Sequence, residues 1–117
     1  MQTQTITVYG IPNCDSVKKA RVWLADQGIA YTFHDFKKQG VPAAELQQWV
    51  QALGWEVVLN RKGTTWRKLA ADVQARVVDA DSAISVMLEH ASTIKRPVIA
   101  WGNGKFSVGY TPAHWPL

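Results

Sequence analysis

At 117 residues, 47% hydrophobic and 19% charged, the chain fits one compact domain and is too short for a two-domain enzyme. Thirteen Lys and Arg against nine Asp and Glu give a net charge of +4, scattered from Lys18 to Lys105 rather than gathered in a stripe, which argues against nucleic-acid binding. No apolar run approaches the ~18 residues that cross a bilayer, and the start from Met1 to Tyr9 has no basic segment followed by an apolar one, so the sequence predicts a soluble, cytoplasmic protein with no membrane partner.

The first predicted element is a strand over Thr5 to Tyr9, with Ile6 and Val8 on one side, broken by Gly10, Pro12 and Asn13. A helix follows from about Asp15 to Gln27, with Val17, Ala20 and Leu24 on one face and Gly28 as the left-handed residue that ends it. Ala30 to Phe36 alternates Tyr31 and Phe33 with Thr32 and His34, which predicts a second strand joined to the first by a right-handed crossover. Pro42 suits a first helical position, and Leu46, Trp49, Val50 and Leu53 form a buried stripe that stops at Gly54.

A short helix is expected around Thr65 to Ala70, where Thr64 and Thr65 suit an N-cap. A longer one is expected around Asp81 to His90, with Ile84, Met87, Leu88 and Ala91 inward. Val98 to Trp101 and Lys105 to Val108 form a hairpin, with Gly102, Asn103 and Gly104 supplying the positive φ angles of its turn. The last residues, from Thr111, are too short and Pro-broken for a finished helix. Strand, helix, strand, helical insertion and hairpin make an α/β fold of the thioredoxin-like type. Its mixed four-stranded sheet has helices on its faces, and the insertion, about residues 41–95, falls between strands 2 and 3 of a single domain spanning residues 1–117.

This order puts the only cysteine, Cys14, at the junction of the first strand and the first helix. A lone thiol forms no internal disulfide and no metal cluster, so Cys14 is either a buried small apolar residue or a reactive thiol. At a helix start the free backbone N–H groups and the helix dipole favour the thiolate. Lys18, one turn on, can face the sulfur, whereas Asp15 works against an anion. The usual resolving position, three residues after the nucleophile, is Val17, so a disulfide on Cys14 needs an external thiol, of which glutathione is the commonest cytosolic choice.

Arg96 and Pro97 precede the hairpin, where a thioredoxin-like sheet places its entry loop beside the cysteine. The rarity of cis X-Pro bonds, roughly 5%, predicts trans. A cis turn would instead aim the Arg96 guanidinium at the sulfur, where it could grip a carboxylate or oxyanion in two places. Arg61, just before the short helix, is a second candidate anion-binding residue, while Arg67 and Lys68 are expected to decorate the outside of that helix. His34, His90 and His114 lack metal-ligand spacing and are assigned structural or surface roles. Gly102, Asn103 and Gly104 precede no helix and make a turn, not a phosphate loop.

The segments Val8-Tyr9-Gly10-Ile11-Pro12-Asn13-Cys14-Asp15-Ser16-Val17-Lys18-Lys19-Ala20, Leu59 to Leu69, Lys95-Arg96-Pro97-Val98-Ile99 and Val108-Gly109-Tyr110 resemble the arsenate reductase-like (ArsC/Spx) family. Within it they are most similar to the YffB-type branch of glutathione-dependent thiol reductases. The resemblance implies a nucleophile at Cys14 and anion-holding arginines at Arg61 and Arg96. It also implies an oxidoreductase with no tightly bound cofactor, glutathione as co-substrate and glutaredoxin as a partner; the sequence carries no dimer signal, and a monomer is expected.

Arsenate is the alternative substrate. Against it, Gly10 stands where those enzymes have a histidine, no arginine follows Arg96, and Asp15 adds negative charge beside the sulfur. A carboxylate-bearing peptide such as glutathione fits two arginines better. A further alternative is a non-catalytic regulator of the Spx kind that binds RNA polymerase, whose switch uses two cysteines three apart; Val17 removes that switch.

Overall fold

A computed structural model describes residues 5–117. The chain divides into two compact units, Met1–Gly40 with Arg96–Leu117, and Val41–Lys95. The first holds the whole sheet. Strands β1 (Thr7–Gly10), β2 (Thr32–Asp35), β3 (Val98–Gly102) and β4 (Lys105–Val108) lie in the order β2-β1-β3-β4. β1 and β2 are parallel, and the other two pairings are antiparallel. With helix α1 (Asp15–Asp26) crossing from β1 to β2, this is the thioredoxin-like arrangement.

α1 forms where its apolar spacing predicts, burying Val17, Ala20 and Leu24. It ends in a Schellman motif: Ile29 N–H donates to Leu24 O at 2.9 Å and Gly28 N–H to Ala25 O at 3.0 Å, with Gly28 at φ +70°. The core of this unit gathers Ile6, Val8, Ala20, Leu24, Ile99, Trp101 and Trp115. Trp115 closes it, with ring centroids 5.1 Å from both Trp23 and Trp101 and 5.7 Å from Tyr110. A three-residue 3-10 turn, Pro112–His114, delivers this tryptophan, so the short C-terminal segment contributes a core residue rather than a helix. Tyr9, His34 and Phe36 form a separate ring cluster, and the His34 ring bonds Gly40 O at 2.8 Å.

β1 and β2 are each shorter than the alternation suggests. β2 stops at Asp35 because that carboxylate accepts the Lys37 N–H at 2.9 Å and caps a four-residue helix, α2 (Phe36–Gln39). The hairpin turn matches the expectation, with positive φ at Gly102, Asn103 and Gly104.

The second unit contains α3 (Ala43–Leu53), α4 (Trp55–Val58), α5 (Thr64–Lys68), α6 (Ala71–Ala75) and α7 (Ala80–Glu89). α3 packs on α4 and α7. Leu46, Trp49 and Val50 are buried as the stripe predicts, although Pro42 is the N-cap rather than the first helical residue. An isolated bridge, Leu59 to Ile94, ties the segment after α4 to the last residues of the unit, with Asn60 N–H donating to Thr93 O and Lys95 N–H to Val58 O, each at 2.8 Å.

Two expectations are corrected here. α5 is capped by the Gly63 backbone, without a side-chain bond, and both Thr64 and Thr65 lie inside its first turn. α7 begins one residue early, at a capping box between Asp79 and Ser82, and buries Ala83, Val86 and Met87, while Leu88 stays 42% exposed. In a segment apolar at 83, 84, 86, 87 and 88, composition leaves the phase of the stripe open, and the cap sets it. No helix among the described residues is long and apolar enough to cross a membrane.

Candidate active site

The register of the sheet builds the site. Gly10, the last residue of β1, pairs with Asp35, the last residue of β2, and Tyr9 pairs with Val98 near the start of β3. The loop 11–14, the end of β2 and the entry to β3 therefore share one end of the sheet, the end where open α/β sheets bind ligands. Cys14 is the N-cap of α1, with extended backbone angles of −142° and 126°. It is neither buried nor fully exposed.

Partial burial pushes the Cys14 thiol up, but the Val17 backbone N–H, the Arg96 guanidinium as donor and as charge, and the Ser16 N–H together outweigh it, and the thiol titrates below its ordinary value. The sulfur thus stands where a serine or aspartate oxygen stands in other helix caps, stabilised by N–H groups of the first turn, although it makes no close cap bond.

The structure brings Cys14 and Arg96 together within the first unit. The Arg96–Pro97 peptide is cis, against the trans form expected from the general rarity of cis bonds. The isomer follows from tertiary surroundings, of which a two-residue sequence carries no trace. Pro97 is buried, and its carbonyl accepts the Gly109 N–H at 2.9 Å.

Lys18 donates its backbone N–H to Cys14 O at 2.9 Å, but its exposed side chain borders a groove on the flank of α1 with Lys19, Val22, Trp23, Asp26 and Tyr110. Neither Lys18 nor Asp15 figures among the groups that set the Cys14 thiol. Arg61 lies in the second unit, 3.4 Å from the Glu56 carboxylate, with its guanidinium 5.3 Å from the Trp55 ring. Arg67 and Lys68 are exposed. Among the described residues no group of three or more His, Cys, Asp or Glu could hold a metal ion.

Sequence reasoning passed over a second feature at the same end of the sheet, a polar cavity lined by Pro12, Arg21, Phe33, Asp35, Lys38 and Gln39. One signal for it was available: Arg21 is seven residues, close to two helical turns, after Cys14 and so shares its side of α1.

The model of the ArsC family matches residues 9–116. Among solved structures, the YFFB protein is 45% identical, with a TM-score of 0.88 over 93% of this chain and 94% of its own. An arsenate reductase (ArsC) related protein from Brucella melitensis is 50% identical, with a TM-score of 0.75 over 97% of this chain and 92% of its own. The global transcriptional regulator Spx of Staphylococcus aureus is 24% identical over 107 residues, 90% of this chain and 79% of the regulator.

Proposed function

Since the chain belongs to the ArsC family, we propose that it is a glutathione-dependent thiol reductase working through one cysteine. The observation that carries this reading is the Cys14 thiol at the start of α1, held below its ordinary pKa by the Val17 N–H and the Arg96 guanidinium. The chain has no second cysteine.

In the proposed cycle the Cys14 thiolate attacks the glutathione sulfur of a mixed disulfide R–S–S–G. The S–S bond breaks, R–S⁻ leaves and takes a proton from water, and Cys14–S–S–G forms. The thiolate of a free glutathione, having given up its proton, then attacks the glutathione sulfur of that adduct. Cys14 leaves as thiolate and oxidised glutathione departs. One R–S–S–G and one glutathione become R–SH and oxidised glutathione, so electrons and protons balance.

Arg96 holds the sulfur and a substrate carboxylate, and Pro97 fixes the loop that carries it. Such chemistry needs a reducing compartment, so the cytoplasm is its proposed location, with glutathione and glutaredoxin as partners, no tightly bound cofactor and a monomer as the working form.

Arsenate fits less well. The histidine position of arsenate reductases is Gly10, and a side chain there would meet Val17 Cγ2 at 2.7 Å.

The deciding experiment is the alkylation rate of Cys14 against pH, repeated with glutathione and with arsenate as protectants. The expected result is a thiolate forming below the ordinary cysteine range and shielded by glutathione. Shielding by arsenate alone would replace this reading with arsenate reduction. An unreactive thiol shielded by neither would replace it with a binding module.

A further inference from the structure

An open pocket of about 400 Å³ lies beside the cysteine loop, lined from that loop, α1, β2 and α2. Its charged residues are arranged without pairing. Arg21 is fixed from two sides: its Nε donates to the Tyr31 hydroxyl at 2.9 Å, and its guanidinium lies over the Phe33 ring at 4.1 Å. Its two terminal nitrogens have no acceptor among the described residues. Asp35 is only 8% exposed, and one carboxylate oxygen accepts the Lys37 N–H. Its other oxygen has no donor among the described residues, and no ion pair joins it to Arg21 or to the exposed Lys38.

A buried carboxylate, a rigid guanidinium and a free ammonium in one cavity suit a zwitterion. A ligand carboxylate would take both terminal nitrogens of Arg21, with Lys38 alongside, and a ligand ammonium would take the open oxygen of Asp35. That is the head group of an α-amino acid.

Glutathione carries such a group on its γ-glutamyl arm, and the spacing suits it. Pro12, on the cavity wall, is two residues before Cys14, and Arg21 is seven residues after it, about 10 Å along α1. From the glutathione sulfur joined to Cys14, the seven bonds that lead to the γ-glutamyl α-carbon reach on the order of 9 Å when extended. We propose that this cavity holds the γ-glutamyl head group of the glutathione that is joined to Cys14, with its carboxylate on Arg21 and Lys38 and its ammonium on Asp35. The inference rests on the thiol reductase reading above.

The test compares two disulfides, oxidised glutathione and oxidised cysteinylglycine, which lacks the γ-glutamyl arm. In both reactions the Cys14 thiolate attacks one sulfur, the S–S bond breaks and the other half leaves as thiolate. Intact-mass measurement follows adduct formation on the reduced full-length protein at one pH. With each rate divided by that of a small free thiolate on the same disulfide, which removes the difference in leaving-group acidity, wild type is expected to favour oxidised glutathione by at least about tenfold, the factor one charge-assisted hydrogen bond supplies.

Arg21→Gln, Lys38→Gln and Asp35→Asn should each lower the ratio of the two normalised rates towards one. Asparagine at 35 keeps an acceptor for the Lys37 N–H, so that variant still caps α2. A wild-type ratio near one, or a ratio unmoved in Lys38→Gln and Asp35→Asn, overturns the subsite while glutathione turnover at Cys14 stands. Failure of Cys14 to form an adduct with either disulfide overturns the function and the subsite with it.

Discussion

Alanine at position 10 forces a carbon into space that Val17 already fills. A Cβ on Gly10 would lie 2.7 Å from Val17 Cγ2 but 3.8 Å from Val17 Cβ, a collision in the first case and ordinary contact in the second. Val17 is wholly buried, and a valine in a helix keeps one χ1 rotamer roughly 90% of the time, so the offending methyl has nowhere to turn. Overpacking of this kind costs about 1–3 kcal/mol.

Val17→Ala by itself removes two buried methyl groups. At about 0.8 kcal/mol each, with a cavity added, it costs roughly 1.5–3 kcal/mol. In the double variant the two alanine carbons meet at van der Waals distance, so each change relieves the other. The expected double-mutant coupling is at least ~1 kcal/mol in the relieving direction. Urea denaturation of the four proteins at equal m reads it directly.

The same four proteins test the link to chemistry. The Val17 N–H helps to hold the Cys14 thiol down, so a helix start displaced in Gly10→Ala should move the alkylation profile upward in pH, and the double variant should return it. Additivity within ~0.5 kcal/mol would refute the claim that Val17 closes the space beside Gly10.

Two further outcomes follow from the thiol itself. Because the folded Cys14 titrates below its unfolded value, the native state holds fewer protons than the unfolded chain between those two pH values. Stability should therefore rise with pH across that window, be fully present above the ordinary cysteine value, and be lost as pH falls through the folded value. The difference in urea midpoint between wild type and Cys14→Ser should carry this slope, and a flat difference would mean that the thiol is unperturbed. Arg96→Ala should move the alkylation profile upward and weaken glutathione binding by roughly 1.5–3 kcal/mol in calorimetry; unchanged affinity would reduce Arg96 to a surface charge.

The elements that the sequence specifies best carry their own punctuation. α1 has its apolar stripe at 17, 20 and 24 and its stop at Gly28, and the turn at 102–104 has residues that tolerate positive φ. The hidden elements depend on a side chain meeting the backbone locally. Asp35 ends β2 by capping α2, and Asp79 sets the phase of α7 through Ser82, neither of which periodicity registers. The pairing of Tyr9 with Val98 brings position 96 to position 14 across 82 residues of chain, and only the topology of the sheet specifies that meeting. Arg21 and Asp35 were harder still to find, because their local surroundings read as an ordinary helix and an ordinary strand end.

The lowered thiol bears more strongly on one half of the proposed cycle than on the other. A lower pKa increases the thiolate fraction but reduces its intrinsic nucleophilicity, so the gain in the attacking step is partly offset. When glutathione attacks the adduct, Cys14 is the leaving group, and a lower pKa there speeds departure. An enzyme with a resolving cysteine can clear such an adduct by an intramolecular attack on its first sulfur, which expels the bound thiol and makes no demand on the first cysteine as a leaving group. Val17 occupies that position here, with its side chain in the core and its N–H acting on the sulfur. The residue that excludes an internal resolving thiol is thus also one that makes Cys14 easier for an external thiol to displace.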